Sequence, residues 1–288
     1  VKNADIAMYR SKEEGRNTYH LFTAAMDEQA QRRLRLETGL RQALDNDQIE
    51  VHFQPLVETD SGEIIGAEAL ARWTHPEGGP ISPAEFIPLA EETGLIRQLG
   101  QRVLERVTAQ LASWGNRFPF PVTINISSRQ FTDPDLPDRL TDTLDRAGLS
   151  RDRIMLEMTE SVLMSDVANH IGRLEAIRQA GIRIAVDDFG TGYSSLAYLR
   201  RFPLDWLKVD RSFINDMDTS ADARAIVSAT INLAHDLRMQ VVGEGVETPE
   251  QAARLREMGC EFLQGFYFGH PLPAEAFEKQ WLDQGEPR

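Results

Sequence analysis

From about residue 48 onward, short apolar segments rich in β-branched residues alternate with amphipathic helical stretches, and nothing else narrows the fold as far. The apolar segments are Ile49–Val57, Ile64–Trp73, Val122–Ser127, Ile154–Thr159, Ile182–Asp187, Trp206–Val209, Met239–Gly243 and Phe262–Phe266. Helical stretches such as Gln98–Trp114, Asp166–Ala180, Asp222–Leu237 and Pro249–Met258 fall between them. Gly115, Gly181 and Gly259 follow helical stretches, where a left-handed C-cap favours glycine. Eight strands alternating with helices predict an α/β fold of the (β/α)8 TIM-like barrel type. The first two strands differ from the rest, because only Glu58–Glu63, containing Asp60-Ser61-Gly62, separates them. Parallel neighbours need a long crossover, whereas so short a link closes a hairpin. One antiparallel strand in an otherwise parallel barrel is therefore expected.

The chain upstream is of a different kind. Residues 1–25 contain Ala4-Asp5-Ile6-Ala7-Met8-Tyr9 and Gly15-Arg16-Asn17, and are too short to be a domain. Residues 26–47 are polar and helix-prone, with Leu34, Leu36, Leu40 and Leu44 near helical spacing, which predicts a linker helix. Residues 48–288 hold everything of chemical interest. The single cysteine, Cys260, permits no internal disulfide, which points to a reducing cytoplasm. No apolar run approaches the roughly 20 residues that span a bilayer, and no signal peptide is visible. The chain opens on Val1 in mid-pattern and reads as a piece of something longer, whose remainder leaves room for an inner-membrane anchor.

Charge limits the partners. A net charge of −14 argues against a long nucleic-acid footprint, which needs basic surface to displace counterions. An acidic site holds a small phosphate substrate only if cations stand between the two, so divalent metal is expected.

The polar residues fall at the predicted strand ends. Glu68 is in the second strand and Asn125 ends the third. Glu157 ends the fourth, with Glu160 three residues on. Asp187 and Asp188 end the fifth, Lys208 and Asp210 the sixth. Glu244 ends the seventh, with Glu247 three residues on, and Gln264 sits in the eighth. A barrel brings these ends to one mouth. A single acid at a strand end is usually a helix N-cap or a solvated loop residue. Several acids together repel one another unless a cation neutralises them, which makes the set more telling than any member. Oxygen ligands without cysteine or paired histidine suit hard ions, Mg²⁺ or Mn²⁺. Adjacent Asp187 and Asp188 suit a pair of ions.

Asp188-Phe189-Gly190-Thr191-Gly192-Tyr193-Ser194-Ser195 is a Gly-rich strand-to-helix loop of the kind that moves as a lid. Arg72, four residues after Glu68, offers a bidentate fork to phosphate or guanine. His235-Asp236 lies mid-helix without partner histidines and reads as a packed or solvated helix pair. His52, His75, His170 and His270 form no ligand-spaced pair, His20 lies outside the main domain, and Cys260 reads as a small core residue.

The same residues resemble the EAL-domain cyclic di-GMP phosphodiesterases. Glu68-Ala69-Leu70 is that family's naming motif, extended here to Arg72, and Gln54-Pro55 resembles its upstream motif. Asn125-Ile126-Ser127, Glu157-Met158-Thr159-Glu160-Ser161, the Asp187–Ser195 loop, Leu207-Lys208-Val209-Asp210, Glu244-Gly245-Val246-Glu247 and Gln264-Gly265 follow in the family's order. Residues 1–25 resemble the end of a GGDEF diguanylate cyclase domain, without the cyclase signature. The resemblance implies a tandem GGDEF–EAL parent with upstream sensor domains. It implies hydrolysis of cyclic di-GMP to linear pGpG, and it allows a homodimer. By that likeness Glu68, Asn125, Glu157 and Asp187 would bind one divalent cation. Asp187, Asp188 and Glu244 would hold the second. Lys208 and Glu244 would contact the attacking water, and Glu160 would brace the lid loop. Gln54, Glu68, Leu70, Arg72, Asp210, Glu247 and Gln264 would hold substrate. Two other readings stay open: an EAL-like receptor that senses cyclic di-GMP without cutting it, and a metal-dependent barrel enzyme of another class, such as an aldolase or enolase.

Overall fold

A computed structural model of the chain describes Met8, Tyr19 and residues 21–190 and 196–283. The expected GGDEF-like motifs of residues 4–9 and 15–17 and the loop residues Thr191–Ser195 thus lie largely outside the described residues. Two compact units divide the chain, one formed by Val1–Ile49 and Trp73–Leu99, the other by Glu50–Arg72 and Gly100–Arg288.

In the first unit, a helix over Ala24–Asp45 begins at Thr23, whose side chain caps Met26 N, and buries Leu36, Leu40, Ala43 and Leu44. Its outer face is tied to a second helix, Pro83–Thr93, by Arg32, which donates to both carboxylate oxygens of Glu85 at 2.7 and 2.9 Å. The segment read as a linker therefore has tertiary partners of its own. Trp73 packs edge-on to Phe86, with ring centroids 5.9 Å apart, and a Cβ at Gly39 would stand 2.7 Å from the His75 ring.

The second unit carries the barrel. Its strands are β1 (Ile49–Glu58), β2 (Ile64–His75), β4 (Val122–Asn125), β5 (Ile154–Thr159), β6 (Arg183–Phe189), β7 (Trp206–Val209), β8 (Gln240–Gly243) and β9 (Phe262–Leu263). A short strand β10 (Leu272–Pro273) lies beside β1, and in the first unit β3 (Gly79–Ile81) pairs with the end of β2. Neighbours run in the order β1-β9-β8-β7-β6-β5-β4-β2, and a β1–β2 pairing closes the ring. Pairings from β2 through β9 are parallel, whereas β1 is antiparallel to β9. The expected reversed first strand is present, and its cause is the hairpin: Glu58 N bonds Glu63 O and Gly62 N bonds Glu58 O, both at 2.9 Å. Gly62, with φ at +71°, makes that turn. The last expected strand is shorter than predicted and ends at Leu263, because residues 264–269 turn back on themselves.

Side chains two apart on a strand share a face. Leu56, Met155, Ala185, Trp206 and Val242 form one buried apolar cluster, with Ile65 and Phe262 packed against it. Two residues beyond Met155, Ala185, Trp206, Val242 and Phe262 lie Glu157, Asp187, Lys208, Glu244 and Gln264. The face that fills the barrel therefore becomes the polar rim one step toward the mouth. On β1 the polar partner, Gln54, precedes its core residue Leu56, as a strand of opposite direction requires. Among the described residues, no helix is long and apolar enough to cross a membrane.

Candidate functional site

The site is built wholly within the second unit, around a buried lysine. Lys208, 2% exposed, lies 2.5 Å from Glu157 Oε1, 3.6 Å from Glu68 and 3.9 Å from Asp187, and is in contact with Glu244. Asn125 Nδ2 donates to Glu68 Oε1 at 2.7 Å, and Gln264 Nε2 donates to Glu68 Oε2 at 2.6 Å. Gln264 also reaches Gln54 Oε1 at 3.4 Å, and Gln54 donates to Gly269 O at 3.1 Å. Seven strands thus deliver their expected residues to one network: β1, β2, β4, β5, β6, β7 and the end of β9, with Glu244 added just after β8.

Adjacent residues of a regular strand point to opposite faces, yet Asp187 and Asp188 both join the site. The register of β6 against β7 shifts between Val186 and Phe189, and Asp188 is left-handed at φ +54°. Such a bulge re-aims side chains beside a site. Asp188 N donates to Asp187 Oδ1 at 2.8 Å, which fixes the pair.

Burial and crowding set the charges. Burial raises the Glu157 carboxyl, Lys208 pulls it down, and Glu68, Asp187 and Glu244 push it up again, leaving it well above the ordinary range. Glu244 is raised too, by burial first, against the pull of Lys208. Burial also pushes Asp187 up, but Lys208 and hydrogen bonds outweigh that and hold it low. Lys208 itself is disfavoured as a cation by burial, yet the surrounding acids raise it well above the usual lysine range. Asp188 is lifted to about 6 by burial and by the charges of Asp187 and Asp210.

The donor set fits hard divalent ions. Carboxylate oxygens of Glu68, Glu157 and Glu244 lie within 4.8 Å of one another, and so do those of Asp187, Asp188 and Glu244. Among the described residues no N–H or hydroxyl donor pairs Glu157 Oε2, and Glu157 is wholly inaccessible to solvent. A buried carboxylate oxygen left unpaired is costly, and a cation is the ligand that would satisfy it.

The other expected residues have local partners. Glu160 Oε2 accepts from Gly190 N at 3.0 Å, tying the helix after β5 to the start of the Gly-rich loop. Asp210 Oδ1 accepts from Ser212 N at 3.0 Å and also from the Ser212 hydroxyl, capping the next helix. Glu247 N donates to Gln251 Oε1 at 2.7 Å. Arg72 is half-buried and donates to Ala71 O at 2.9 Å; burial lowers its pKa against the opposing pull of Glu68. Leu70 is half-buried on β2. His170, unassigned in sequence, is buried, with Nδ1 3.1 Å from Leu163 O. His235 pairs with Glu261 at 3.0 Å.

Two supports went unread in the sequence. Capping boxes Ser127–Gln130 and Thr248–Gln251 hold the turns after Asn125 and Glu247. The S/T-x-x-Q pattern that signals them stands in the chain. The Gly269 carbonyl that anchors Gln54 left no such signal, since any residue supplies a carbonyl.

Fold and site together define a (β/α)8 barrel with one reversed strand and a carboxylate-rich mouth. The chain belongs to the EAL domain family, whose model matches residues 37–271 and so begins inside the Ala24–Asp45 helix. It is 45% identical over 275 residues to the bifunctional diguanylate cyclase/cyclic di-GMP phosphodiesterase MucR of Pseudomonas aeruginosa, covering 95% of this chain and 40% of that protein. It is 40% identical over 280 residues to the cyclic di-GMP phosphodiesterase PdeR of Escherichia coli, covering 97% and 42%. The solved structure of the PaMucR phosphodiesterase in its c-di-GMP complex matches with a TM-score of 0.82 at 44% identity, covering 84% of this chain and 99% of that one. The chain therefore spans about two fifths of the length of these two curated relatives.

Proposed function

We propose that this chain hydrolyses cyclic di-GMP to linear pGpG with two divalent cations, Mg²⁺ or Mn²⁺. The observation that carries the reading is the Glu68–Glu157–Glu244 and half-buried Asp187–Asp188–Glu244 oxygen sets sharing one mouth around the buried Glu157, in a chain so similar to proteins named phosphodiesterases. Glu68, Asn125, Glu157 and Asp187 hold one ion, and Asp187, Asp188 and Glu244 the other. When bound, the ions neutralise phosphoryl charge and ease deprotonation of a nearby water.

The chain's own groups do the rest. Lys208, kept protonated by its acids, presents fixed positive charge beside the phosphodiester, and Glu244 accepts a hydrogen bond from the attacking water. Glu160 holds the Gly-rich loop through Gly190. Gln54, Leu70, Arg72, Asp210, Glu247 and Gln264 line and orient the dinucleotide, with Arg72 able to fork onto phosphate or guanine. In the same reading residues 1–25 end a GGDEF domain, 26–47 connect, and 48–288 are the catalytic module of a cytoplasmic region, which acts alone or as a homodimer.

The test is chromatography of products after incubation with cyclic di-GMP and Mn²⁺, with and without EDTA. pGpG that disappears with EDTA is expected. Bound but uncut dinucleotide would instead make the chain a receptor. The Asp187→Asn variant removes a ligand from both ion sites, and its turnover should fall about a hundredfold or more. Near-parental hydrolysis by it would overturn the ligand assignment.

A further inference from the structure

Two very short helices follow strands of the rim. Ser128–Phe131 comes after Asn125, and Glu160–Met164 begins with the Glu160 that holds Gly190. Helices of four and five residues have no stability of their own and take their position from what packs on them. A longer helix, Val167–Gln179, grips both from one face. Its His170 Nδ1 lies 3.1 Å from Leu163 O, and its Arg173 Nη1 donates to Phe131 O at 3.1 Å. The His170 ring also stands edge-on to the Phe131 ring, with centroids 4.9 Å apart and planes inclined by 71°. His170, Leu163 and Phe131 are all buried.

The bond to Leu163 asks for more than packing. A carbonyl oxygen only accepts, so the Nδ1 of His170 carries the proton. The last carbonyls of a helix have no intrahelical donor, and a buried one left alone is costly. His170 supplies that donor from seven residues further on. An apolar side chain of similar size would fill the space against Phe131 without burying two ring nitrogens, so packing alone does not call for histidine here. Leu163 is three residues past Glu160, about 4.5 Å along the helix axis. So short a rod passes a displacement at one end to the other. At the other end Glu160 Oε2, on a buried side chain, accepts from Gly190 N at 3.0 Å.

We propose that His170 is a positioning residue: it pins the end of the Glu160–Met164 helix and so fixes the carboxylate that holds Gly190, two residues after Asp188. Its part in turnover rests on the phosphodiesterase reading above, whereas its hold on Gly190 does not.

The experiment compares the full chain with its His170→Asn, His170→Leu and His170→Phe variants. His170→Asn keeps an N–H where Nδ1 stood. His170→Leu and His170→Phe remove it, and either serves if the other does not fold. Amide hydrogen exchange, read residue by residue by NMR in EDTA, follows Gly190 N against Val241 N, which donates to Glu261 away from these helices. His170→Leu and His170→Phe should speed Gly190 exchange about tenfold and leave Val241 within about twofold. His170→Asn should return Gly190 to within about twofold of the parent. With Mn²⁺, kcat for cyclic di-GMP should fall about tenfold in the two apolar variants and recover in His170→Asn. Equal Gly190 exchange in the parent and the apolar variants would overturn the proposal. So would a Val241 rate that quickened as much as that of Gly190, because His170 would then be an ordinary core residue. Quickened Gly190 exchange with parental kcat would strike out the part in hydrolysis. A parent that never cuts would sink the hydrolase reading alone, and the exchange rates would still decide whether His170 holds Gly190.

Discussion

Replacing Lys208 by methionine isolates what one buried cation does for four acids. The side chain keeps its length and loses its charge, while Glu157, Glu68, Asp187 and Glu244 stay in place around it. Removing one partner of a buried ion pair costs about 3–5 kcal/mol, because the other charge is left without compensation. For chains of this order each kcal/mol moves Tm by about 2–4 °C, so the variant should melt roughly 10 °C lower in EDTA. The loss should depend on pH with a definite sign. Glu157 and Glu244 are already raised carboxyls, and a raised acid stabilises the fold below its unfolded pKa and loses that contribution as pH rises through its folded one. Without Lys208 these acids rise further, so the melting deficit should deepen between mildly acidic and mildly basic buffer. Mn²⁺ should then stabilise the variant more than the parent, since an ion would replace the missing charge; a hundredfold excess over the variant's own dissociation constant adds about 2.7 kcal/mol to its stability in EDTA. Scanning calorimetry of both proteins, with EDTA and with Mn²⁺, measures all three quantities. A variant melting within about 2 °C of the parent in alkaline EDTA would refute the view that Lys208 neutralises the site.

Three further outcomes follow from particular residues. Asp188, raised to about 6, must give up its proton to bind metal, so Mn²⁺ affinity should climb as pH rises through about 6 and keep rising while the raised Glu157 and Glu244 carboxyls lose theirs; an Asp188→Asn variant with the parent's profile through pH 6 in calorimetric titration would remove Asp188 from the ligands. Burial pushes the Cys260 thiol up to about 12, so the native protein should resist thiol reagents near pH 8 and react in urea; fast native labelling would show that this part of the core opens. Gly265→Ala would drive a Cβ onto Val246 N and O and should cost about 1–3 kcal/mol together with most substrate affinity; unchanged urea midpoint and KM would mean the turn relaxes without harm.

The barrel was legible in the chain because strand and helix periods differ, and the reversed first strand because six residues cannot carry a crossover. Short edge pairings were not legible. Gly79–Ile81 and Leu272–Pro273 are held by neighbours distant in sequence or by a tight turn, and neither has a pattern of its own. The expected strand through Phe266 failed for a related reason. Its apolar residues suggest continued β structure, but Gly265 allows a close approach to Val246 that folds the chain back.

The candidate site was legible as a list of strand ends and illegible as an arrangement. Period two explains both. It assigns Glu157, Asp187, Lys208, Glu244 and Gln264 to the barrel's inner face, each two residues past an apolar core position. It cannot say that Lys208, and no other residue, stands at the centre, because that depends on how the strands are staggered around the ring. Nor can it bring two consecutive acids to one side; Asp188 joins Asp187 only because a bulge and a left-handed φ break the alternation. The place where the local rule fails is also the place where both proposed ions would share a ligand. A carboxylate pair in register would turn Asp187 and Asp188 to opposite faces. On the two-ion reading, the irregularity in β6 is what lets one mouth offer both oxygen sets, and a change that returned residue 188 to an extended backbone should lower the Mn²⁺ stoichiometry measured by calorimetric titration from two toward one.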